Sequence, residues 1–333
     1  MGILVMYPGP SRVKKAISFE TLENVTFMKI LVATEKPFAK AAVDGIREIV
    51  EGAGYELALL EKCADKAELL AAVADADGLI VRSDKVTREV IDAARNLKIV
   101  VRAGAGYDNV DLAACTERGI VVMNTPGQNS NAVAELVVSM MIFISRNQFT
   151  PGTGAEVSGK RLGIHAYGNV GRIVARYGRA LGMSVKAFDP FVDPRQLEAD
   201  GVEAVGTVEE LYASSDYVSL HIPATDQTRK SIGYKLLTSM PKGATLVNTA
   251  RKEVIDEQGL IRAFEERADL KYITDIAAEA QPLLTEKFGK RVFATPKKMG
   301  AETAEANLNA GLAAARQTVD FLKNGNRRFQ VNK

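Results

Sequence analysis

A glycine turn followed by an acidic residue is the most informative pattern of the chain. Between residues 160 and 189, a short apolar segment leads into Gly168, a helical pattern follows, and a second apolar segment ends at Asp189. A strand, glycine turn, helix and acidic strand end in this order bind a dinucleotide. The backbone at Gly168 can approach a pyrophosphate, and Gly171 permits close packing of helix and strand. Asp189 can accept both adenosine ribose hydroxyls and repel a 2′-phosphate, so the pattern predicts NAD.

One position of this turn departs from the usual fingerprint. Ala166 occupies the place of the first of three glycines. An alanine is expected there only if the turn keeps a negative φ, because glycine adopts positive φ without steric cost. The surrounding strands, helix and acidic residue still predict dinucleotide binding.

Further polar clusters follow predicted strands, at the edge where open α/β sheets bind ligands. Arg251 can bind a substrate carboxylate through two hydrogen bonds, and the alternative is a helix-capping or surface arginine. Arg82 and Ser83 can bind a phosphate or carboxylate, or form a solvated turn. The glycines of residues 102–106 can offer N–H groups to an anion or only close a tight turn.

Only two histidines are present, so few side chains could titrate near neutral pH. His165 lies inside the first cofactor strand and is interpreted as a packed core residue. His221 ends a strand beside the cofactor and is interpreted as part of the wall around the nicotinamide or ribose. Asp275 ends a strand facing the expected nicotinamide position, and could instead cap a helix or loop.

Composition places the chain among ordinary globular proteins. Of 333 residues, 47% are hydrophobic and 25% are charged, and 43 basic side chains nearly balance 41 acidic ones. No long basic run suggests nucleic acid, and no apolar run is long enough to cross a bilayer. Cys63 and Cys115 form no metal-type pair. We therefore expect a cytoplasmic protein without a metal and without nucleic-acid or membrane partners.

The elements that carry these residues alternate between strand and helix. Strands are predicted near residues 30–33, 56–60, 78–81, 98–101, 120–123, 161–165, 184–188, 216–221, 244–248 and 270–275. Helices are predicted at residues 39–52, 66–74, 88–97, 131–146, 169–181 and 302–323. Such alternation requires parallel sheets that are covered on both faces.

The alternation divides into two doubly wound α/β domains. Residues 126–300 are predicted to form a Rossmann dinucleotide-binding domain, and residues 28–125 with 301–333 a split, flavodoxin-like substrate domain. The last helix has no strand of its own and is expected to return to the first domain. Residues 1–27 lack the order of a signal peptide and are expected to be an N-terminal extension. The cleft between the domains is the expected site.

Three long segments resemble the D-isomer-specific 2-hydroxyacid dehydrogenases: residues 102–137, 218–233 and 246–260. Within that family the sequence is most similar to short members, without a C-terminal regulatory domain, that act on 3-phosphoglycerate. The resemblance implies hydride transfer from carbon 2 of 3-phosphoglycerate to NAD, giving 3-phosphohydroxypyruvate, the first step of serine biosynthesis. It also implies a homodimer formed through helix 131–146 of the NAD-binding domain.

The resemblance also assigns roles to residues around the cleft. The substrate carboxylate would meet Arg251, and other substrate contacts would come from Arg82, Ser83, Arg102, Gly104, Ala105 and Gly106. Cofactor contacts would come from Gly168, Asn169, Val170, Gly171, Asp189, His221, Ile222, Pro223, Thr249, Ala250, Asp275 and Gly300.

The acid–base pair is where this sequence departs from the family. Members usually carry a glutamate five residues after the strand-end aspartate, and a histidine in a TPH-x-GA motif. The position five beyond Asp275 is Ala280, and Glu279 is one residue early. Lys297 stands in place of the histidine, with one extra residue before the Gly-Ala pair. We hypothesise that Lys297 is the general base, with Glu279 as the candidate to assist it; the alternative is that Lys297 only contacts substrate anions.

Two other functions remain open from the sequence. A related hydroxypyruvate or glyoxylate reductase would differ in its anion site. An NAD-binding regulator resembling the C-terminal binding proteins would recognise a partner instead of catalysing a reaction, and the missing histidine favours it. Against the regulator, Arg251 and Lys297 stand where substrate chemistry needs them.

Overall fold

Two parallel sheets form the core of the chain in the computed structural model, which describes residues 28–62 and 65–332. The predicted extension, residues 1–27, and Cys63 lie outside the described residues. Over the described ranges, no helix is both long and apolar enough to cross a membrane.

The first sheet is built from the N-terminal strands. They are β1 Lys29–Thr34, β2 Glu56–Glu61, β3 Gly78–Val81, β4 Ile99–Arg102 and β5 Val121–Asn124, connected by α1 Lys40–Gly52, α2 Lys66–Val73, α3 Arg88–Ala93 and α4 Leu112–Glu117. The strand order is β2-β1-β3-β4-β5 and every pair is parallel. This order is flavodoxin-like, which confirms the predicted fold of this part.

The second sheet follows helix α5, Ser130–Ser145. Its strands are β6 Arg161–His165, β7 Ser184–Phe188, β8 Glu203–Ala204, β9 Tyr217–Leu220, β10 Thr245–Asn248, β11 Lys271–Thr274 and β12 Val292–Ala294. Its helices are α6 Asn169–Ala180, α7 Pro194–Ala199, α8 Val208–Ala213, α9 Tyr234–Ser239, α10 Glu257–Glu266 and α11 Gln281–Phe288. The parallel order β12-β11-β10-β9-β6-β7-β8 is the Rossmann order with one further strand, as predicted. Strands β8 and β12 are too short to show a pattern, and the sequence did not predict them.

Both sheets are buried on both faces, which explains why their strands read as continuous apolar runs. In β1, Leu31 and Ala33 face one apolar core, while Ile30 and Val32 face the other. The second sheet likewise separates two cores, one of them shared with α5 and α6.

The last helix, α12 Ala304–Asn324, packs on the first sheet against α1, which confirms the predicted return of the chain. Two glycines let the helices approach. A Cβ on Gly45 would lie 2.5 Å from Leu312 Cδ2, and one on Gly311 would lie 3.1 Å from Phe38 Cε1. The domain boundaries near residues 125 and 300 stay a prediction; both fall in connecting segments.

The residues after α12 cover the β5 edge of the first sheet. The N–H of Val331 donates to the Val122 carbonyl at 2.8 Å. The buried Asn332 side chain accepts the Val122 N–H at 2.7 Å and donates to the Ile120 carbonyl at 2.9 Å and to Thr116 Oγ1 at 3.0 Å. The tail therefore satisfies backbone groups that an edge strand would otherwise expose.

Replacing Asn332 with alanine is expected to lower the free energy of unfolding by about 2 kcal/mol, because it leaves buried backbone groups without partners. Urea unfolding measures the change. Asn324→Ala is the control, since the Asn324 amide bonds only Asp320 at the surface. Equal stability of the two variants would show that the Asn332 hydrogen bonds contribute little.

Candidate active site

A cavity of about 510 Å³ lies between the two sheets, at the carboxyl ends of their strands. The side formed by the first sheet carries Ser83, Arg102, Ala105, Gly106, Asp108 and Asn109. The start of α5 contributes Asn129 and Val133, and the segment before α12 contributes Ala301. The side formed by the second sheet carries Val170, His221, Ile222, Pro223, Thr249, Ala250, Arg251, Asp275, Lys298 and Gly300.

Most predicted site residues therefore meet at one cavity, but some do not line it. Those outside its wall are Arg82, Gly104, Gly168, Asn169, Gly171, Asp189, Glu279 and Lys297. The wall also contains residues that were not predicted: Asp108, Asn109, Asn129, Val133, Lys298 and Ala301. Asp108 and Asn109 directly follow the predicted turn of residues 102–106, so extending that turn by three residues would have found them.

Arg251 points an available guanidinium into the cavity. Its Nη1 donates to the Ala250 carbonyl at 2.8 Å, and the Asn248 amide donates to the Arg251 carbonyl at 3.0 Å. These hydrogen bonds fix the backbone of Arg251 and one of the two terminal nitrogens of its guanidinium. Among the described residues no carboxylate pairs with it, so the remaining donors are free for an anionic ligand.

Arg102 lies folded over the turn that follows β4. A Cβ on Gly104 would lie 1.4 Å from Arg102 Nη1, and the φ of Gly104 is +151°. Gly104 is therefore needed to make room for Arg102 rather than to contact a ligand. Burial, together with the charges of Arg82 and Arg251, lowers the pKa of Arg102. Arg82 and Arg251 both repel the Arg102 guanidinium, which favours an anion beside Arg102.

Arg82 does not reach the cavity, contrary to its predicted contact with substrate. Its guanidinium donates to the carbonyls of Lys36 at 3.0 Å and Pro37 at 3.2 Å, and to Asn307 Oδ1 at 2.6 Å. It also lies over the Phe38 ring, 5.2 Å from the centroid. These contacts use the donors of Arg82 to join the segment before α1 to α12.

The segment that carries the two lysines is held by Asp275, which is buried. One carboxylate oxygen of Asp275 accepts Thr295 Oγ1 at 2.8 Å and the Met299 N–H at 2.9 Å. The other accepts the Gly300 N–H at 2.8 Å. A Cβ on Gly300 would lie 3.1 Å from the same carboxylate. This anchoring turns Lys298, and not Lys297, toward the cavity.

The lysine at the cavity is therefore one residue beyond the predicted base, Lys297. The TPH-x-GA motif carries one extra residue here, and counting forward from Thr295 selects Lys297. Counting back from Gly300, which Asp275 anchors, selects Lys298. Burial lowers the pKa of Lys298, and the charges of Arg251 and Arg102 lower it further, against the opposite effect of Asp275 and Asp108.

Glu279 lies outside the cavity that Lys298 lines. Its exposed carboxylate pairs with Lys252 Nζ at 3.1 Å. The backbone around it is fixed by Glu257, whose carboxylate accepts the N–H groups of Glu279 at 2.9 Å and Ala280 at 2.8 Å. The carboxylate therefore faces Lys252 instead of the cavity.

Neither histidine can act as an acid near neutral pH. His165 is buried in β6 with its Nδ1 3.3 Å from Tyr212 Oη, and burial lowers its pKa to about 4. His221 lines the cavity with its Nε2 3.0 Å from Ser219 Oγ, and burial lowers its pKa to about 3. Both imidazoles are neutral at pH 7, which agrees with the sequence interpretation.

The expectation of a negative φ at Ala166 was wrong, because the structure gives +79°. The Ala166 N–H donates to the Phe188 carbonyl at 2.9 Å, and a Cβ on Gly171 would lie only 2.3 Å from the Ala166 carbonyl oxygen. The turn is thus fixed between β7 and α6. The methyl group of alanine tolerates this conformation at a cost of about 1 kcal/mol.

The remaining fingerprint residues have the expected surroundings. No atom lies within 4 Å of a Cβ placed on Gly168, so the turn is open where a ligand would approach. Asp189 accepts the N–H groups of Tyr167 at 2.8 Å and Phe191 at 2.9 Å, one on each oxygen. Each oxygen can accept a further hydrogen bond.

Known proteins are similar to this chain in fold and in sequence. Residues 31–332 match the family model of the D-isomer specific 2-hydroxyacid dehydrogenase catalytic domain. D-3-phosphoglycerate dehydrogenase of Methanocaldococcus jannaschii is 39% identical over 276 residues, which are 78% of this chain and 52% of that protein. The human enzyme of the same name is 34% identical over 83% of this chain and 54% of its own length. The chain thus spans about half the length of the curated relatives it matches.

A solved structure covers nearly the same length. The NAD⁺-bound 3-phosphoglycerate dehydrogenase of Entamoeba histolytica is 51% identical, with a TM-score of 0.83 over 92% of this chain and 99% of that one. Fold and sequence therefore agree: the chain belongs to the D-isomer specific 2-hydroxyacid dehydrogenase family.

Proposed function

We propose that this protein oxidises the carbon-2 hydroxyl of 3-phosphoglycerate with NAD, giving 3-phosphohydroxypyruvate. The observation that carries the proposal is the cavity charge: Arg102, Arg251 and Lys298 meet there, and the two carboxylates of the wall are Asp108 and Asp275. Asp275 is already bound by the loop that carries Lys298. A small substrate with two anionic groups suits such a site. The names of the relatives support the same substrate.

The residues at the second sheet fit NAD. Thr249 Oγ1 is buried beside the cavity and has no hydrogen-bond partner among residues 28–62 and 65–332, and the turn at Gly168 is open there. The second lone pairs of Asp189 can accept the ribose hydroxyls, and its charge opposes a 2′-phosphate. When bound, NAD supplies the carbon that accepts a hydride.

Gly171→Ala is expected to weaken NAD binding at least about tenfold, because the new Cβ meets the Ala166 carbonyl at 2.3 Å and forces the turn to move. Titration calorimetry with NAD measures the change. Gly52→Ala is the matched control, since no atom lies within 4 Å of that Cβ. Unchanged affinity in Gly171→Ala would show that the turn does not hold the cofactor.

The substrate is oriented by its two anionic ends. Arg251 binds the carboxylate through its fork and places carbon 2 beside the cofactor. Arg102, with the hydroxyl of Ser83, binds the phosphate on the opposite side of the cavity. A Cβ on Gly106 would lie 3.4 Å from Arg251 Nη2, so the lack of a side chain there leaves room beside the Arg251 guanidinium.

Lys298 is the general base in oxidation and the acid in reduction. Its neutral amine takes the hydroxyl proton as carbon 2 loses its hydride, and the ammonium returns that proton in the reverse direction. Burial and the neighbouring arginines increase the neutral fraction of the amine. His221, with a pKa near 3, is too weak a base for the same task.

An NADH-release assay with a panel of 2-hydroxy acids tests the proposed function. We expect kcat/KM for 3-phosphoglycerate to exceed that for D-glycerate and D-lactate by at least about a hundredfold, since the phosphate adds charge-assisted bonds. NADP should be the poorer cofactor. Preference for unphosphorylated acids would indicate a reductase of the same family. NAD binding without turnover would indicate a regulator.

The protein also forms a homodimer through α5 of its NAD-binding domain. Phe143 on α5 packs edge-on against Phe149 and Phe293, with ring centroids 5.2 and 4.8 Å away. Phe149 is 69% exposed, and together these rings border an apolar groove. A second copy would cover this surface. Light scattering at micromolar concentration should give twice the chain mass, and a monomer would contradict the dimer.

A further inference from the structure

Asp108 is a carboxylate of the cavity that no bond within the fold explains. Over residues 28–62 and 65–332, neither a hydrogen bond nor an ion pair within 4 Å reaches its oxygens. The other carboxylate of the wall, Asp275, accepts Thr295, Met299 and Gly300. Asp108 therefore faces the cavity without a structural task.

The turn before Asp108 brings it next to the substrate-binding arginine. A Cβ placed on Gly106 would lie 3.5 Å from Asp108 Oδ2 and 3.4 Å from Arg251 Nη2. Arg251 comes from the end of β10 in the second sheet, and Asp108 from the turn after β4 in the first. The lack of a side chain at Gly106 thus permits opposite charges from the two sheets to approach each other across the cleft.

The charges around Lys298 also converge on this position. Arg251 and Arg102 repel its ammonium group, whereas Asp108 and the anchored Asp275 attract it. His221, also on the wall, carries no charge at neutral pH. Asp108 is consequently the carboxylate near Lys298 that is not used by the loop carrying the lysine.

On the side of the cleft that carries Lys298, the nearby carboxylate of Asp275 is already occupied by Thr295, Met299 and Gly300. Glu279, the candidate from sequence, pairs with Lys252 outside the cavity. An acid–base group needs a partner that orients it, because proton transfer depends on a defined distance to the reacting oxygen.

We propose that Asp108 is a positioning residue for Lys298, holding the ammonium group over the cavity by charge attraction from the opposite side of the cleft. The inference rests on the proposed function of Lys298. Because the two residues belong to different sheets, the lysine is oriented fully only when the cleft is formed. Removal of the Asp108 charge must therefore change both the orientation and the titration of Lys298.

The test compares Asp108→Asn, which removes the charge at equal size, with Asp108→Glu, which retains it. We expect Asp108→Asn to lower the plateau kcat for 3-phosphoglycerate oxidation at least about tenfold. The acid limb of its pH profile should move to lower pH by roughly 0.5 units, since a nearby negative charge favours the ammonium form. Asp108→Glu should recover most of both. Asp44→Asn, whose carboxylate pairs only with Lys40 at the surface, should match the wild type.

A second measurement does not depend on turnover. Lysines labelled by reductive ¹³C-methylation are titrated by NMR, and the Lys298 signal is assigned by its loss in Lys298→Arg. A Lys298 pKa that is lower in Asp108→Asn than in the wild type supports the pairing. An unchanged Lys298 pKa, or an effect on KM alone, overturns it. If the wild type shows no dehydrogenase activity while the NMR shift is present, the proposed function fails and the charge pairing stands.

Discussion

Lys298→Met is expected to lower kcat for 3-phosphoglycerate oxidation at least about a hundredfold, the usual loss when a general acid–base group is removed. Methionine keeps the length and apolar stem of lysine but cannot accept a proton. NAD affinity should stay within about twofold, since the fingerprint turn and Asp189 lie outside this part of the cavity. Steady-state NADH release and calorimetry separate the two effects.

Lys297→Met is the matched control, because it makes the same change one residue away. Lys297 does not line the cavity, and its carbonyl accepts Thr295 Oγ1 at 2.9 Å through an atom that the substitution leaves in place. Its kcat should fall by less than about threefold. The reverse result, a large loss in Lys297→Met and a small one in Lys298→Met, would restore the sequence-based assignment.

The pH dependence follows from the same assignment. Oxidation needs the neutral amine, so its rate should rise with pH through the Lys298 pKa, and reduction, which needs the ammonium, should fall over that range. Burial lowers that pKa below its usual value of 10.5, which moves both limbs toward neutral pH. The pKa values of His165 and His221, about 4 and 3, contribute no limb between pH 5 and 8. A limb near pH 6.5 that persists in Lys298→Met would contradict this assignment.

Strand periodicity was enough to predict both sheets, since a strand buried on two faces must be apolar throughout. Strand periodicity could not predict β12, because this strand is only three residues long. The segment that carries Lys298 begins at Thr295, directly after β12. The orientation of that segment depends on hydrogen bonds to Asp275 from more than twenty residues away. Counting along the motif from one end selected Lys297, whereas Lys298 lines the cavity, because an insertion shifts every residue beyond it.

Two further site predictions, for Arg82 and Glu279, depended on contacts that the sequence does not reveal. A strand-end arginine looks available until Asn307, distant in sequence, is seen to bind it. Glu279 is close to the expected position, yet Lys252 and Glu257 hold it on the other side of its loop. In both cases a tertiary contact decides where the side chain lies, whereas a motif or a strand pattern contains only local information.

Arg251→Gln is expected to lower kcat/KM for 3-phosphoglycerate by roughly a hundredfold to a thousandfold, because losing one partner of a buried charged pair costs about 3 to 4 kcal/mol. The Nη1 bond to Ala250 fixes the fork before substrate binds, so the pairing needs little further ordering. NAD affinity should be unchanged. Arg262→Gln, which removes an exposed arginine paired with Glu266 on α10, is the control.

Arg251→Lys distinguishes charge from geometry at the same position. A lysine retains the positive charge but cannot form two parallel hydrogen bonds with a carboxylate. We therefore expect it to recover part of the KM change and little of kcat, since the fork also fixes carbon 2 relative to Lys298 and the cofactor. Full recovery by Arg251→Lys would mean that attraction alone holds the substrate. In that case Lys298, and not Arg251, would have to define the position of the reacting carbon.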